Sequence, residues 1–99
     1  MENPKSNNET KQAIALHYNP ERQNAPRVVA KGTGLIAENI LNIAKQSAVP
    51  VYQNKTVAGM LMAVELDREI PAALYQVVAE VLAYVYRLDQ EAGKRRIRR

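Results

Sequence analysis

The chain has 99 residues, enough for one small domain with its own core but not for two. It contains no cysteine, which excludes disulfides, thiolate metal sites and cysteine nucleophiles. Its net charge of +4 is concentrated at one end, since five cations lie in residues 94–99 and subtracting them leaves residues 1–93 at −1. The polar N-terminus has no apolar stretch that could serve as a secretion signal, so the sequence predicts a cytoplasmic protein.

The first half of the domain predicts two strands. In residues 13–18 apolar and small side chains alternate, so Ile14 and Leu16 should share one face of a strand. Residues 27–31 are rich in β-branched side chains and predict a second strand. The turn-rich segment 19–24 between them is short enough to favour an antiparallel hairpin.

A helix and a third strand are predicted next. Thr33 is a candidate N-cap for this helix. Helical spacing predicts that its buried stripe consists of Leu35, Ile36, Ile40, Ile43 and Ala44. Residues 49–52 then predict a short strand that begins at Pro50 or lies at a sheet edge. A strand, a helix and a strand in this order imply a right-handed crossover and a parallel pair.

Two further helices complete the predicted elements. Thr56 is the candidate cap of the first, which should run from Val57 to about Glu65. The second, at residues 70–88, has apolar residues at three- and four-residue steps and is apolar on more than one face, which predicts burial on two sides. Its apolar run is too short and too interrupted to cross a membrane. Gly93 should end it.

Together these elements predict an α/β fold, with a small mixed β-sheet packed with helices and a long buried C-terminal helix. The predicted organisation is a flexible arm at residues 1–12, a domain at residues 13–92 and a basic tail at residues 93–99.

The sequence offers little catalytic material, and we expect neither a metal nor a cofactor. The single histidine, His17, lies on the minor face of a strand and has no second histidine with which to bind a metal. Three carboxylates at residues 65–69 are best explained as a solvated linker. The glycines at residues 32–34 match no nucleotide-binding fingerprint and indicate a strand-to-helix turn. The tail could contact phosphates, which leaves a small nucleic-acid-binding protein as an alternative, although no aromatic residues are interleaved with its charges.

Five segments of the chain resemble the cytoplasmic C-terminal domain of the FlhB/YscU family, and its flagellar branch most of all. They are AIALHY at residues 13–18, APRVVAKG at 25–32, GLIAENILNIA at 34–44, VP at 49–50 and EIPAALYQVVAEVLAYVYRL at 69–88. The family comprises substrate-specificity switch proteins of flagellar and virulence type III export machines. Its full members carry a membrane half before this domain, so the resemblance implies a free-standing counterpart of the C-terminal fragment.

The resemblance also implies a degenerate self-cleavage motif. Family members cleave themselves within Asn-Pro-Thr-His, where the asparagine side-chain amide attacks its own backbone carbonyl in a strained turn. In register, this chain has Asn8, Glu9, Thr10 and Lys11. The proline that fixes the turn and the histidine are both absent, so we expect no self-cleavage and no enzymatic activity.

A substrate-binding patch follows from the resemblance as well. A small apolar patch that recognises export substrates in the family falls here on Ala25, Pro26, Ala79 and Leu82. Plain core packing is the alternative for Ala79 and Leu82. If the patch is a surface, Ala79→Asp or Pro26→Asp should abolish partner binding and leave the fold nearly unchanged.

The function implied by the resemblance is binding within the flagellar export apparatus. Expected partners are export substrates, export-gate proteins and the membrane half of FlhB, and neither nucleic acid nor a membrane span is expected. The implied location is the cytoplasm, including a peripheral position at the export gate.

Overall fold

The computed structural model describes the backbone of residues 10–97 and the side chains of residues 10–91. Its elements in chain order are β1 (Gln12–His17), β2 (Arg27–Thr33), α1 (Leu35–Gln46), α2 (Lys55–Met62), a 3₁₀ turn (Ala72–Leu74) and α3 (Tyr75–Ile97). The α/β class, the antiparallel hairpin and the long C-terminal helix agree with the sequence-based expectation.

Strands β1 and β2 form an antiparallel sheet with two different faces. Cross-strand partners include Ile14 with Lys31 and Leu16 with Val28, and the register shifts at a bulge between Ala15 and Leu16. Ile14, Leu16 and Val28 belong to the main core. The opposite face carries small residues such as Ala13, as the alternation along a strand requires.

The expected third strand at residues 49–52 is not formed, and the sheet is therefore antiparallel rather than mixed. Residues 67–70 lie along the outer edge of β2 instead. Val28 donates its N–H to the Arg68 carbonyl at 3.1 Å, and the Asp67 N–H is 2.6 Å from the Val28 carbonyl. The outer edge of β2 is thus occupied, and Pro50 has no N–H to donate to a neighbouring strand.

Helix α1 covers the small-residue face of the sheet and buries less of itself than its sequence predicts. Ala37 is fully buried, whereas Leu35, Ile36 and Ile43 are 78%, 58% and 61% exposed. A sheet of two strands is too narrow to cover a broad apolar stripe, so the predicted burial of these three residues is wrong.

Two glycines set the position of α1. Gly34, with φ 58°, is the N-cap in place of the predicted Thr33, which is the last residue of β2. Glycine adopts this left-handed conformation without steric cost. A Cβ on Gly32 would lie 2.7 Å from Cβ of Ile36, so this residue permits the close approach of the helix to the sheet.

Helix α2 packs on the core face of the sheet. The Asn54 side chain caps it by accepting from the Val57 N–H at 3.0 Å, so the predicted cap at Thr56 is wrong. The helix ends at Met62, earlier than predicted. Lys31 on β2 donates to the carbonyls of Met62 and Val64 at 2.8 and 2.7 Å, which satisfies acceptors that the end of a helix leaves unpaired.

Helix α3 closes the core with one face rather than two. Only Val78 of its first turns is fully buried, and Tyr86 is 64% exposed. The helix continues through Gly93 to Ile97, so the predicted end at Gly93 is also wrong. Among the described residues no helix is long and apolar enough to cross a membrane. The buried residues of the core are Ala25, Val28, Val57, Leu61, Val64, Ile70 and Val78.

Candidate functional site

A shallow groove of about 120 Å³ lies between the β1–β2 connection and the first turns of α3. All four residues of the patch predicted from the family resemblance line it, although its two walls, residues 18–26 and 75–82, are far apart along the chain. The lining residues are Tyr18, Asn24, Ala25, Pro26, Tyr75, Val78, Ala79 and Leu82.

One wall of the groove is a regular face of α3. Tyr75, Val78, Ala79 and Leu82 follow one another at steps of three, one and three residues, so they lie on the same side of the helix. Tyr75 and Val78 are not among the four patch residues predicted from the family resemblance. The helical period, counted from Ala79 and Leu82, would have found both.

The other wall is a loop held by its own hydrogen bonds. The Asn19 carbonyl accepts from the N–H groups of Arg22 and Gln23, both at 2.9 Å. In return the Gln23 side chain accepts from the Asn19 N–H at 2.7 Å, and the Asn19 side chain accepts from the Glu21 N–H at 3.1 Å. This network fixes the chain that leads into Asn24, Ala25 and Pro26.

A backbone hydrogen bond ties the two walls together. Ile70, just before α3, donates its N–H to the Pro26 carbonyl at 2.8 Å. Its side chain is 2% exposed and anchors the segment in the core. The groove is therefore a fixed feature of the fold, and its width depends on the pairing of residues 67–70 with the start of β2.

The four predicted residues do not share the same environment. Ala25 is 2% exposed and Pro26 is also buried, so these two form the floor of the groove. Ala79 is exposed and Leu82 is half-buried against the core. A partner would meet Ala79 directly, whereas Ala25 and Pro26 give the groove its shape.

The groove is uncharged. No Asp, Glu, Lys, Arg or His is among its lining residues, and its polar side-chain groups are the hydroxyls of Tyr18 and Tyr75 and the carboxamide of Asn24. Tyr18 and Tyr75 are 38% and 47% exposed, so both side chains are partly open to solvent. Small apolar residues between such hydrogen-bonding groups suit a short apolar peptide segment, whose backbone would still need partners.

The opposite side of α3 is braced by an aromatic contact. The rings of Tyr52 and Tyr84 meet edge to face with centroids 5.4 Å apart. The Tyr52 hydroxyl also lies 3.5 Å from a carboxylate oxygen of Glu80. These contacts give the segment at residues 49–52 a role in positioning the helix, although it forms no strand.

A wider depression of about 450 Å³ lies at the start of α3, between Met60 and Leu74. The charged residues Glu65, Arg68 and Glu69 border it, and Glu65 pairs with Arg68 at 3.5 Å. Both side chains of this pair are largely exposed, which fits the predicted solvated linker. None of the four patch residues lies here.

The remaining candidates lie apart from the groove or outside the described residues. Asn8 and Glu9 of the degenerate cleavage motif lie outside them, while Thr10 and Lys11 are exposed immediately before β1. His17 is exposed at the end of β1. Among the described residues, no three carboxylates or histidines are close enough together to hold a metal ion.

Comparison with known proteins gives a consistent result over most of the chain. The model of the FlhB HrpN YscU SpaS family matches residues 7–85. YlqH of Bacillus subtilis is 37% identical over 86 residues, which cover 87% of this chain and 92% of YlqH.

Two further matches are to FlhB, and the chain spans only about a quarter of the length of the full FlhB proteins that it matches. The flagellar biosynthetic protein FlhB of Aquifex aeolicus is 49% identical over 79 residues, which cover 79% of this chain but only 23% of that protein. The crystal structure of the cytoplasmic domain of FlhB from Shewanella putrefaciens superimposes with a TM-score of 0.78 at 34% identity. That match covers 85% of this chain and 66% of the domain.

Proposed function

The chain belongs to the FlhB, HrpN, YscU and SpaS family, and from this premise we propose that it is a binding module of the flagellar protein export apparatus. Its groove would receive a short apolar segment of an export substrate or of an export-gate protein. In this role the chain would act on the cytoplasmic side, as a counterpart of the C-terminal domain of FlhB.

The observation that carries this proposal is the meeting of Ala25, Pro26, Ala79 and Leu82 in one uncharged groove. The family resemblance assigned these same four positions to a substrate-binding patch. The proposal is supported most directly by Ala79, which is exposed in the groove and so is accessible to a partner.

The groove is tested by a charge at its exposed wall. Ala79→Asp places a carboxylate in the apolar groove, where a bound apolar segment would have to desolvate it, so binding should be lost. Ala83→Asp is the matched control, because Ala83 is also exposed on α3 and does not line the groove. Circular dichroism should show the same helix content and unfolding temperature for both variants.

Pro26→Asp is the weaker test, contrary to the expectation from sequence. Pro26 is buried, and its carbonyl accepts the Ile70 N–H. An aspartate there would place a charge in the interior, so we expect unfolding rather than selective loss of binding.

A motility assay measures the function directly. Cells whose FlhB is truncated after its cleavage site lack the C-terminal fragment, and expression of this chain should restore filament export. The Ala83→Asp variant should restore it equally well and the Ala79→Asp variant should fail. Equal rescue by both variants would show that the groove is not the binding site. If the folded, expressed wild-type chain gave no rescue, it would not be a substitute for the C-terminal fragment of FlhB.

We propose further that the chain does not cleave itself. Without a proline after Asn8, the turn that presses the asparagine amide against its own carbonyl is not fixed, and Lys11 replaces the histidine. Intact-mass spectrometry of the purified, aged chain should give one unbroken species. A fragment that begins at Glu9 and forms without protease would contradict this.

A further inference from the structure

A second recess meets the groove at the first turn of α3. The depression of about 450 Å³ has an apolar side made by Met60, Val64, Pro71 and Leu74. Leu74 is followed in the chain by Tyr75, which lines the groove, so the two recesses have the start of α3 as a common wall. A partner segment that extends from the groove past this turn enters the depression.

The rim of the depression is charged, whereas the groove is not. Glu65, Arg68 and Glu69 form this rim. The Arg68 guanidinium lies 3.5 Å from the Glu65 carboxylate, so these two charges offset each other. Glu69 is exposed and has no ion-pair partner among the described residues. The lining residues therefore leave one negative charge, on Glu69, beside an apolar surface.

The backbone beneath this rim is fixed before any partner binds. Val28 of β2 donates to the Arg68 carbonyl at 3.1 Å and accepts from the Asp67 N–H at 2.6 Å. Ile70, directly after Glu69, donates to the Pro26 carbonyl at 2.8 Å. A carboxylate on so firmly held a segment needs little ordering when a ligand arrives, which lowers the entropic cost of binding.

The apolar side of the depression is open to a ligand. Met60 is 43% exposed and Leu74 is half-buried, while Val64 is 8% exposed and belongs to the core. Methionine is unbranched and flexible, so its side chain adapts to ligands of different shape. An apolar surface with a carboxylate at its rim matches a side chain that has a long aliphatic stem and a cation at its end.

We propose that the depression binds a Lys or Arg side chain of the partner segment whose apolar part lies in the groove. The aliphatic stem of that residue packs on Met60 and Leu74, and its cation approaches Glu69. This assignment rests on the proposed function and adds the chemistry of the partner, which is an apolar stretch with a basic residue beside it. The same carboxylate repels an acidic peptide or a nucleic acid.

Three synthetic peptides and the full chain test this proposal. The peptides share a short core of Ala, Val and Leu and are flanked on both sides by Lys, by Gln or by Glu, so the direction of binding does not matter. Fluorescence anisotropy measures their dissociation constants. At low salt the Lys-flanked peptide should bind about five-fold more tightly than the Gln-flanked one, and the Glu-flanked peptide most weakly. About 0.5 M salt should remove most of this difference, because it screens the charges.

The exposed side chains of the rim allow a series of charges. Arg68→Gln changes the net charge of the lining residues from −1 to −2 and should enlarge the preference for Lys flanks. Glu69→Gln changes it to zero and should abolish the preference. Glu91→Gln removes the same charge at an exposed position outside both recesses and is the matched control. Met60→Gln should weaken the binding of all three peptides, because their flanking residues lose an apolar contact.

Several outcomes would overturn the assignment of the depression. They are a preference that Glu69→Gln leaves unchanged or that Glu91→Gln reduces equally, no effect of Met60→Gln, and a wild-type chain that binds none of the peptides. Each of these is separate from the groove itself, which the motility rescue with Ala79→Asp and Ala83→Asp decides. Circular dichroism should be the same for all the rim variants, since the substituted side chains are exposed.

Discussion

The two faces of the sheet are built differently. The face that carries Ile14, Leu16 and Val28 packs against α2 and α3 and contains most of the buried residues. The opposite face consists of small residues, and α1 covers it while leaving Ile36 and Ile43 mostly exposed. The first face is stabilised by the burial of large apolar side chains. The second is stabilised by the close packing of α1 against small residues such as Gly32.

This difference bears on where function can be tested. The groove lies on the deeply packed side, and its floor residues Ala25 and Pro26 are part of that packing. A change at Ala79, on the exposed wall of α3, should disturb the fold less than a change in this buried floor. The α1 side exposes the apolar side chains of Leu35, Ile36 and Ile43.

The largest loss of stability should come from a large-to-small substitution in the core beneath Ile14, Leu16 and Val28. Leu61→Ala removes a side chain that is 4% exposed and should cost about 2 to 5 kcal/mol of unfolding free energy. Ile43→Ala, on the outer side of α1, should cost far less, because most of this side chain is already in water. Urea unfolding compares the two, and similar losses would show that the faces do not differ as described.

A smaller loss of unfolding free energy is expected on the other face of the sheet, where Gly32 lies against Ile36 of α1. Gly32→Ala would place a Cβ 2.7 Å from Cβ of Ile36, so α1 must shift, at about 1 to 3 kcal/mol. Ile36→Ala in the same chain should recover part of this loss. A double-mutant cycle without coupling between the two positions would mean that the approach of α1 does not depend on Gly32.

The smallest of the three losses of stability is expected at the N-cap of α2. Asn54→Ala removes the cap of α2 and should cost about 1 kcal/mol, and Asn54→Asp should retain most of the stability. Thr56→Ala should be nearly neutral, because Thr56 is not the cap. A larger loss of stability on substitution of Thr56 than of Asn54 would show that Thr56 is the cap, as the sequence predicted.

Local patterns predicted the local structure well. Alternation placed Ile14 and Leu16 on the core side of β1, and the helical period predicted α3 and the stripe that reaches the core. The four patch positions came from resemblance alone, since residue types at Ala25 and Ala79 reveal neither exposure nor proximity.

The errors have physical causes that no local pattern contains. The burial of Leu35, Ile36 and Ile43 depended on the width of the sheet beneath them, which is only two strands. The third strand was assigned to residues 49–52, whereas the edge of β2 pairs with residues 67–70, whose charged sequence gives no strand signal. Asn54 and Thr56 are both good caps, and only the start of α2 decides between them.

The hydrogen bond between Ile70 and Pro26 also sets when the groove exists during synthesis. At roughly 5 to 20 residues per second, about 3 to 11 seconds separate the translation of Ala25 from that of Leu82. The loop wall at residues 18–26 is synthesised first. The groove can form only after residues 75–82, which make the other wall, have also left the ribosome. In the function proposed above, a nascent chain that has not yet added residues 75–82 would lack one wall of the groove and could not bind a substrate there.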